Sequence, residues 1–310
     1  MDHRFILTAV LAAGVSTLAA QPVLARCEGI VPGERPQNTA RDYVGQTMDD
    51  IIERGTLNIA VYENLPPYSW EVNGEPRGVD IEVGRILAEA LGVEPEFRFV
   101  QPAENLQGDL MSYIWRGTVQ REPVSNVMLR VPYDSTLTCM IEQVVFTGQY
   151  ASETVAIAYR QDAYPDAIAG DDPRHEGAPV PAYFRFDSVA VENDTIADFY
   201  LTAFPGADLA ANVHRYRTMG AAMEALGDGE TMAAMGPRAQ LEWGATDGVA
   251  IHQPPLVGFA RATWTLGIGV HHSHRDLGYA LDDAIVAALE DGRIEKAYAD
   301  YGLTFIPPER

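Results

Sequence analysis

The sequence predicts an α/β protein of two consecutive units, each a mainly parallel sheet with helices on its faces. Three observations predict it. Short runs of alternating apolar residues take turns with longer runs of helical period, and strand–helix–strand order calls for parallel pairing. A second series of the same kind begins near Ser152. The chain has 310 residues and 47% hydrophobic content, which suits two packed units of about 100–200 residues each.

The first segment reads as an export signal. Arg4 precedes the apolar stretch FILTAVLAAGVSTLAA, and the small residues of LAAQPVLAR offer cleavage after Ala20 or Ala25. That stretch is short and interrupted for a membrane span, and no later stretch approaches spanning length. Residues 1–25 are expected to be removed on export to the periplasm, and 26–46, punctuated by Pro32, Gly33 and Pro36, to form an extended arm. A lipid anchor on Cys27 is disfavoured because the bulky, charged Arg26 precedes it. Cys139 is the other cysteine, so an oxidising compartment offers one pair, bridged or left as two thiols.

TMDDIIERG reads as a short helix with Thr47 as cap, Asp50 closing a capping box and Gly55 as the stop. Leu57, Ile59 and Val61 alternate as a strand should, and the two-proline loop NLPPYSW follows. GVDIEVGRILAEALG is a helix with Val83, Leu87, Ala90 and Leu91 on one face. EPEFRFV is a strand, NLQGDLMSYIWRG a helix and NVMLRV a strand. In the second unit ETVAIAYR and DSVAVEN are strands, and TIADFYLTAF and MGAAMEALGDG are helices. TMAAMGPRAQLEW gives a strand, a turn at Gly236–Pro237 and a helix, whereas QPPLVGF has the composition of a connection. TWTLGIGV is a strand, DLGYALDDAIVAALEDG a helix capped by Asp276, and RIEKAYADYG closes the series.

A net charge of −22 repels nucleic acid and anionic membranes and favours a basic partner. No nucleophile elbow, phosphate-cradling glycine loop or zinc-protease helix is present, and no cofactor is implied. His271, His272 and His274 form a run better read as a solvated loop than as metal ligands, and LGDGE lacks the ligand series of a calcium loop.

The run TMDDIIERGTLNIAVYENLPPYSW, with Gly78, Asp80 and Glu82 opening the next helix, resembles the start of family 3 extracellular solute-binding proteins. The closing ALDDAIVAALEDGRIEKAYADYGL resembles that family's last helices, and the likeness runs from about Thr47 to Gly302. Within it, DLMSYIWRG, NVMLRVPYD, EQVVFTGQY and GPRAQLEW are similar to the MxaJ-like branch associated with methanol oxidation and quinoprotein dehydrogenases. The resemblance implies a type II periplasmic binding fold, with residues 47–150 plus 258–310 as lobe one and 151–257 as lobe two. Crossings would fall near Tyr150–Glu153 and Pro254–Phe259, and hinge motion would close the lobes. The implied partners are a small-molecule ligand and a permease of the ABC-transporter type, or a periplasmic quinoprotein dehydrogenase. A monomeric, non-enzymatic protein is expected.

Family members that bind amino acids hold the carboxylate with an arginine and the amine with an acid. Those positions fall here near Leu137 and at Gly236–Pro237, and neither offers the charge a desolvated zwitterion needs. An ordinary amino acid is therefore a poor candidate. Ligand sites in parallel sheets lie outside the carboxyl ends of strands. That points to Tyr68, Trp70, Tyr133 and Tyr150, with Trp264 beside them, for an apolar, planar or cationic solute. Each of these rings reads equally well as core packing. Arg130 and Arg238 could supply a cation from another direction, and Asp194 and Thr195 could present donors to an anion or simply cap a helix. An enzyme on this fold would need an acid or base such as Glu63 or Asp134, but no partner constellation singles out either.

Overall fold

The structure is a computed structural model that describes residues 27, 29–30, 47–120, 122–165, 177–203, 208–258 and 262–310. The expected signal segment and most of the arm lie outside the described residues. Helix α1 (Met48–Arg54) carries the expected capping box between Thr47 and Asp50 and stops at Gly55, whose φ of 76° needs no side chain. Strand β1 (Thr56–Tyr62) leads through the proline loop into a hairpin of β2 (Trp70–Val72) and β3 (Glu75–Arg77). Helix α2 (Val79–Leu91) buries Ile81, Val83, Leu87 and Ala88, while Ala90, expected on the buried face, is exposed. Strand β4 (Glu94–Val100) is followed by α3 (Leu106–Leu110), which continues as a π-helix over Met111–Trp115 where one regular helix was expected.

Strand β5 (Val127–Pro132) and the short helix α4 (Ser135–Met140) precede β6 (Val144–Arg160), a single strand of 17 residues. Next come β7 (Val189–Glu192), α5 (Ile196–Ala203), β8 (Val213–Tyr216), α6 (Met219–Gly227), β9 (Ala233–Pro237), α7 (Arg238–Gly244) and β10 (Val249–His252). Strand β11 (Thr263–His271), α8 (Arg275–Glu290) and α9 (Arg293–Asp300) complete the series. Asp276 lies in the first turn of α8; His274 occupies the cap position and makes no side-chain capping bond. His271 is partly buried against His272 and His274, at ring-centroid distances of 4.5 and 5.6 Å, so the run is not a fully solvated loop. Burial, with His272 next, pushes the His271 imidazole down to about 3.

All main strands belong to one nine-stranded sheet ordered β4-β1-β5-β11-β6-β9-β7-β8, with β10 also on β6. The long strand β6 is its spine. Its first part pairs with β11, from Val144↔His271 to Thr154↔Thr263, and its last part with β9, from Val155↔Pro237 to Tyr159↔Ala233. The change of partner between Thr154 and Val155 divides the molecule into two lobes. Within lobe one β1 runs parallel to β4 and β5, and within lobe two β7 runs parallel to β8 and β9. Apolar layers cover both faces of each half, which is why β1 and β5 are almost continuously apolar. Trp264, at the start of β11, packs against the cores of both lobes.

Cys27 and Cys139 are joined as a disulfide across 112 residues of sequence, with their Cα atoms 5.4 Å apart. This ties the N-terminal arm to α4. A loop of this size restrains the unfolded chain by roughly 2–5 kcal/mol in the chain-entropy account. Reduction is expected to lower the melting temperature without changing the helix signal at room temperature. Calorimetry with and without reductant, against a Cys27→Ser/Cys139→Ser variant, checks this; equal midpoints would contradict it.

Candidate functional site

The strand registers place the carboxyl ends of both lobes at the same point. Strand β5 ends where Pro132 faces Leu266 on β11, and the Tyr133 N–H donates to the Thr265 carbonyl at 2.8 Å. Thr265 in turn faces Ser152 on the spine strand. From the other side β9 ends with Pro237 opposite Val155, three residues further along. The parallel partners share these directions, so the loops after β1, β4 and β5 meet those after β7, β8 and β9 across the crossing of β6 and β11. A cleft between lobes, outside the carboxyl ends of parallel strands, is where this architecture places a ligand.

Backbone strain gathers at these strand ends. Asn64 follows β1 with φ 49°, Asp194 follows β7 with φ 60°, and Arg130 near the end of β5 has φ 57°. Non-glycine residues in this region cost about 1–3 kcal/mol and persist where the surroundings enforce them. Two buried or half-buried carboxylates, neither singled out by sequence reasoning, stand at the same ends. Asp109 accepts from the Tyr62 hydroxyl at 2.8 Å and from the Ala103 N–H at 2.6 Å, and burial holds its carboxyl above the usual range. Glu192, the last residue of β7, is likewise raised by burial and accepts from the Met219 N–H at 3.1 Å.

Between α2 and the strands of lobe one lies a buried charged network. The positive φ at Arg130 turns its side chain out of the strand's alternation and toward α2. There Nε donates to Asp80 Oδ2 at 2.8 Å, and the guanidinium lies over the Tyr68 ring, 3.2 Å from its centroid. Burial works against the charge of Arg130, but Asp80 with Tyr68, Tyr150 and Tyr298 together outweigh it and raise its basicity. The Tyr150 hydroxyl donates to Asp80 Oδ1 at 2.9 Å and accepts from the Arg130 N–H at 3.1 Å. Tyr68 donates to Glu153 Oε2 at 2.5 Å, and Arg130 Nη1 is 4.0 Å from the same carboxylate. Glu153 also accepts from the backbone N–H groups of Thr154 and Ala239, and burial still holds its carboxyl above the usual range. Burial pushes the Tyr68, Tyr150 and Tyr298 hydroxyls well up, so all three remain protonated.

Several side chains that the sequence offered to the cleft are committed elsewhere. Tyr68 and Tyr150, expected in the cleft, are 2% and 0% exposed and serve the network, together with Arg130. Trp70 packs on Trp243 of lobe two and on Tyr301, at 5.3 and 5.6 Å between ring centroids. Tyr133 is partly buried against the lobe-one core. Thr195 donates to the Glu192 carbonyl at 2.7 Å, as a local turn residue. Arg238 pairs with Glu242 one turn along α7, at 2.7 Å. Neither arginine is thus held out toward the cleft as a free anchor. Glu63 and Asp134 stand in the strand-end loops, Asp134 as the cap of α4 through the Leu137 N–H at 2.9 Å. Asp80 and Glu153 went unassigned; Asp80 carried a signal, as part of the motif that opens α2.

The two-lobed sheet, its crossing strands and the cleft define the periplasmic-binding-protein architecture. The family model for bacterial extracellular solute-binding proteins, family 3, matches residues 57–112, from β1 into the π-helix. Among solved structures, an ancestral cationic amino acid solute-binding protein is similar over 83% of this chain and 99% of its own, at 18% identity and a TM-score of 0.65. An amino acid ABC transporter substrate-binding protein from Streptococcus pneumoniae, bound to L-arginine, covers 84% of this chain and 100% of its own, at 15% identity and TM-score 0.59. A solute receptor for L-cysteine from Neisseria gonorrhoeae covers 83% and 94%, at 18% identity and TM-score 0.56. Among curated proteins none matches the sequence. At these identities the structural likeness establishes the fold.

Proposed function

We propose that this protein is an exported family 3 solute-binding protein that captures a small molecule, other than an ordinary amino acid, between its lobes for a membrane permease. The observation that carries this is the meeting of both sets of strand carboxyl ends across the β6–β11 crossing. What narrows the ligand is the state of the two arginines near those ends: Arg130 is bound to Asp80 and Arg238 to Glu242. A zwitterion's carboxylate would meet no free guanidinium from either. Among the described residues no helix is long and apolar enough to cross a membrane.

Ligand-stabilised melting tests the reading. A panel of amines, quaternary ammonium compounds, sugars and aromatic solutes, with amino acids as comparators, is expected to contain a compound that raises the midpoint. Saturation at about a hundredfold above Kd adds about 2.7 kcal/mol. A well-folded sample that no compound shifts would overturn solute capture, and a strong shift by free amino acids would overturn their exclusion.

The same committed arginines, with the net charge of −22, favour a second reading: an accessory protein of the MxaJ-like branch, binding a basic periplasmic quinoprotein dehydrogenase. Association would then be steered by charge and weaken steeply with salt. Pull-down from detergent-solubilised whole-cell extract separates the readings, since recovery of a permease instead of a quinoprotein would reject this one. We infer binding in preference to catalysis under either reading. Turnover of arogenate-like or cell-wall substrates by purified protein would overturn that.

A further inference from the structure

Helix α7 belongs to lobe two by chain and is held by lobe one through side chains. It follows directly from β9, and Leu241 sits in the lobe-two core with Met219 and Met223. It is seated closely on α6, since a Cβ at Gly244 would fall 2.7 Å from Met223 Cβ. Yet Ala239 is buried in the lobe-one core beside Tyr68, Tyr150 and Tyr298. Trp243 packs on Trp70 and Tyr301, at 5.3 and 6.2 Å. Glu242 accepts from the Thr304 N–H at 2.8 Å and its hydroxyl at 2.7 Å, binding the tail that follows α9. Two residues on, the Ile306 carbonyl accepts from the Ser152 N–H of the crossing strand at 2.8 Å. Glu153, in that crossing strand, accepts from Tyr68 of lobe one and from Ala239 of α7.

We propose that α7 is an interlobe clamp that holds the molecule closed in the absence of ligand, with the Glu153 carboxylate and the Trp70–Trp243 contact as its releasable elements. A hinge rotation that separates the lobes must either break these contacts or detach α7 from Leu241's core. Both alternatives cost free energy. The clamp therefore sets the open-to-closed ratio on which any ligand acts.

Protons bias the same contact. The groups that face Glu153 are Tyr68 from the loop after β1, Arg130 from β5 with Asp80 of α2 behind it, Tyr298 from α9 with Tyr150 of β6 beyond, and the N–H groups of Thr154 and Ala239. Burial in the clamp raises the Glu153 carboxyl, and opening hydrates it. The closed form then binds the proton more tightly, so acidification from neutral pH favours closing and a rise in pH favours opening.

Spin labels on Glu89→Cys of α2 and Glu224→Cys of α6, both exposed, report the interlobe distance, and the native cysteines are already bonded to each other. The unliganded protein is expected to give one narrow, closed distribution. Trp243→Ala is expected to raise the open-to-closed ratio roughly tenfold, the packing equivalent of one charge-assisted hydrogen bond, whereas Glu153→Gln, a neutral stand-in for the protonated carboxyl, is expected to leave the protein closed. Glu153→Gln should also abolish the pH dependence of that ratio. Where Trp243→Ala does not fold, Thr304→Val removes a single hydroxyl from the clamp and should move the ratio in the same direction by less. An open-dominated distribution in the unsubstituted protein, a folded Trp243→Ala or Thr304→Val protein that keeps its distribution, or a Glu153→Gln protein that opens would overturn the proposal. The measurement uses no ligand, so it stands or falls separately from solute capture.

Discussion

Arg130→Met is expected to lower the unfolding free energy by about 3–5 kcal/mol, because it leaves the Asp80 and Glu153 carboxylates buried without their cation. Methionine fills much of the same volume, so the loss reports charge and hydrogen bonding more than a cavity. A cycle with Asp80→Asn isolates the pair. The double variant retains an acceptor for the Tyr150 hydroxyl and should recover most of the loss, giving a coupling well above the about 0.5 kcal/mol error of additivity. A further contrast comes from the backbone. The φ of 57° at Arg130 suits glycine, so Arg130→Gly regains roughly 1 kcal/mol of strain, but the cavity methionine would fill costs about 2–5 kcal/mol, and its net loss should exceed that of Arg130→Met.

The pH dependence of the single variant has a definite sign. Burial raises the Glu153 carboxyl and Arg130 opposes that, so without Arg130 it stands further above its unfolded value. A raised carboxyl takes up a proton on folding, so the deficit of Arg130→Met is largest at neutral pH and shrinks as pH falls. Urea titrations of wild type and variant at several pH values check this. A loss below about 1 kcal/mol, or one independent of pH, would show that the network is not holding Asp80 and Glu153 as described.

How much of this was legible in the sequence follows from the length of each pattern. Helices α2, α6 and α8 and strands β1, β4 and β9 carry enough turns or alternations to be read directly. The hairpin β2–β3 and strands β8 and β10 span three or four residues each, too few to show a period. Helix α4 has six residues with three threonines or serines, which favour turns as readily as helix. The spine strand was read only from ETVAIAYR onward, because Gly148, with φ 57°, interrupts its first half with a residue that usually marks a bend.

The site followed the same rule. Strand order indicates the end of each sheet to which the strand carboxyl ends point, since that depends on topology alone. Arg130 could not be placed, because strand alternation assigns its side chain to one face and its positive φ turns it to the other. Glu153 reads as an ordinary charge at the start of an apolar strand. Its role depends on Tyr68 and Ala239, which lie 85 residues before it and 86 after it in the numbering, and no local pattern connects them.

Gly78→Ala is expected to be among the most damaging single substitutions in the protein. Gly78 stands at the N-cap of α2 with φ 121° and ψ 167°, a conformation that side chains disfavour. A Cβ there would lie 2.1 Å from the Tyr68 carbonyl oxygen and 2.4 Å from its carbon, so the obstacle is backbone and cannot rotate away. Strain at such a φ costs about 1–3 kcal/mol, and forcing atoms into an occupied volume about 1–3 kcal/mol more. The loop that must yield is fixed on both sides: Val79 N–H donates to the Pro67 carbonyl at 3.1 Å and Asp80 N–H to the Tyr68 carbonyl at 2.9 Å. Gly78 N–H also donates to the Tyr301 hydroxyl at 2.8 Å. Displacing Tyr68 therefore disturbs its contacts with Arg130 and Glu153 together, and through Tyr301 the Trp70–Trp243 contact. Gly74→Ala provides the control, because its φ of 80° is comparably strained but a Cβ there meets nothing within 4 Å. Thermal melts of the two variants should differ by several degrees, and the spin-label distance of any folded Gly78→Ala protein should shift toward the open form. Equal midpoints would mean that strain alone, without the collision at Tyr68, accounts for this glycine.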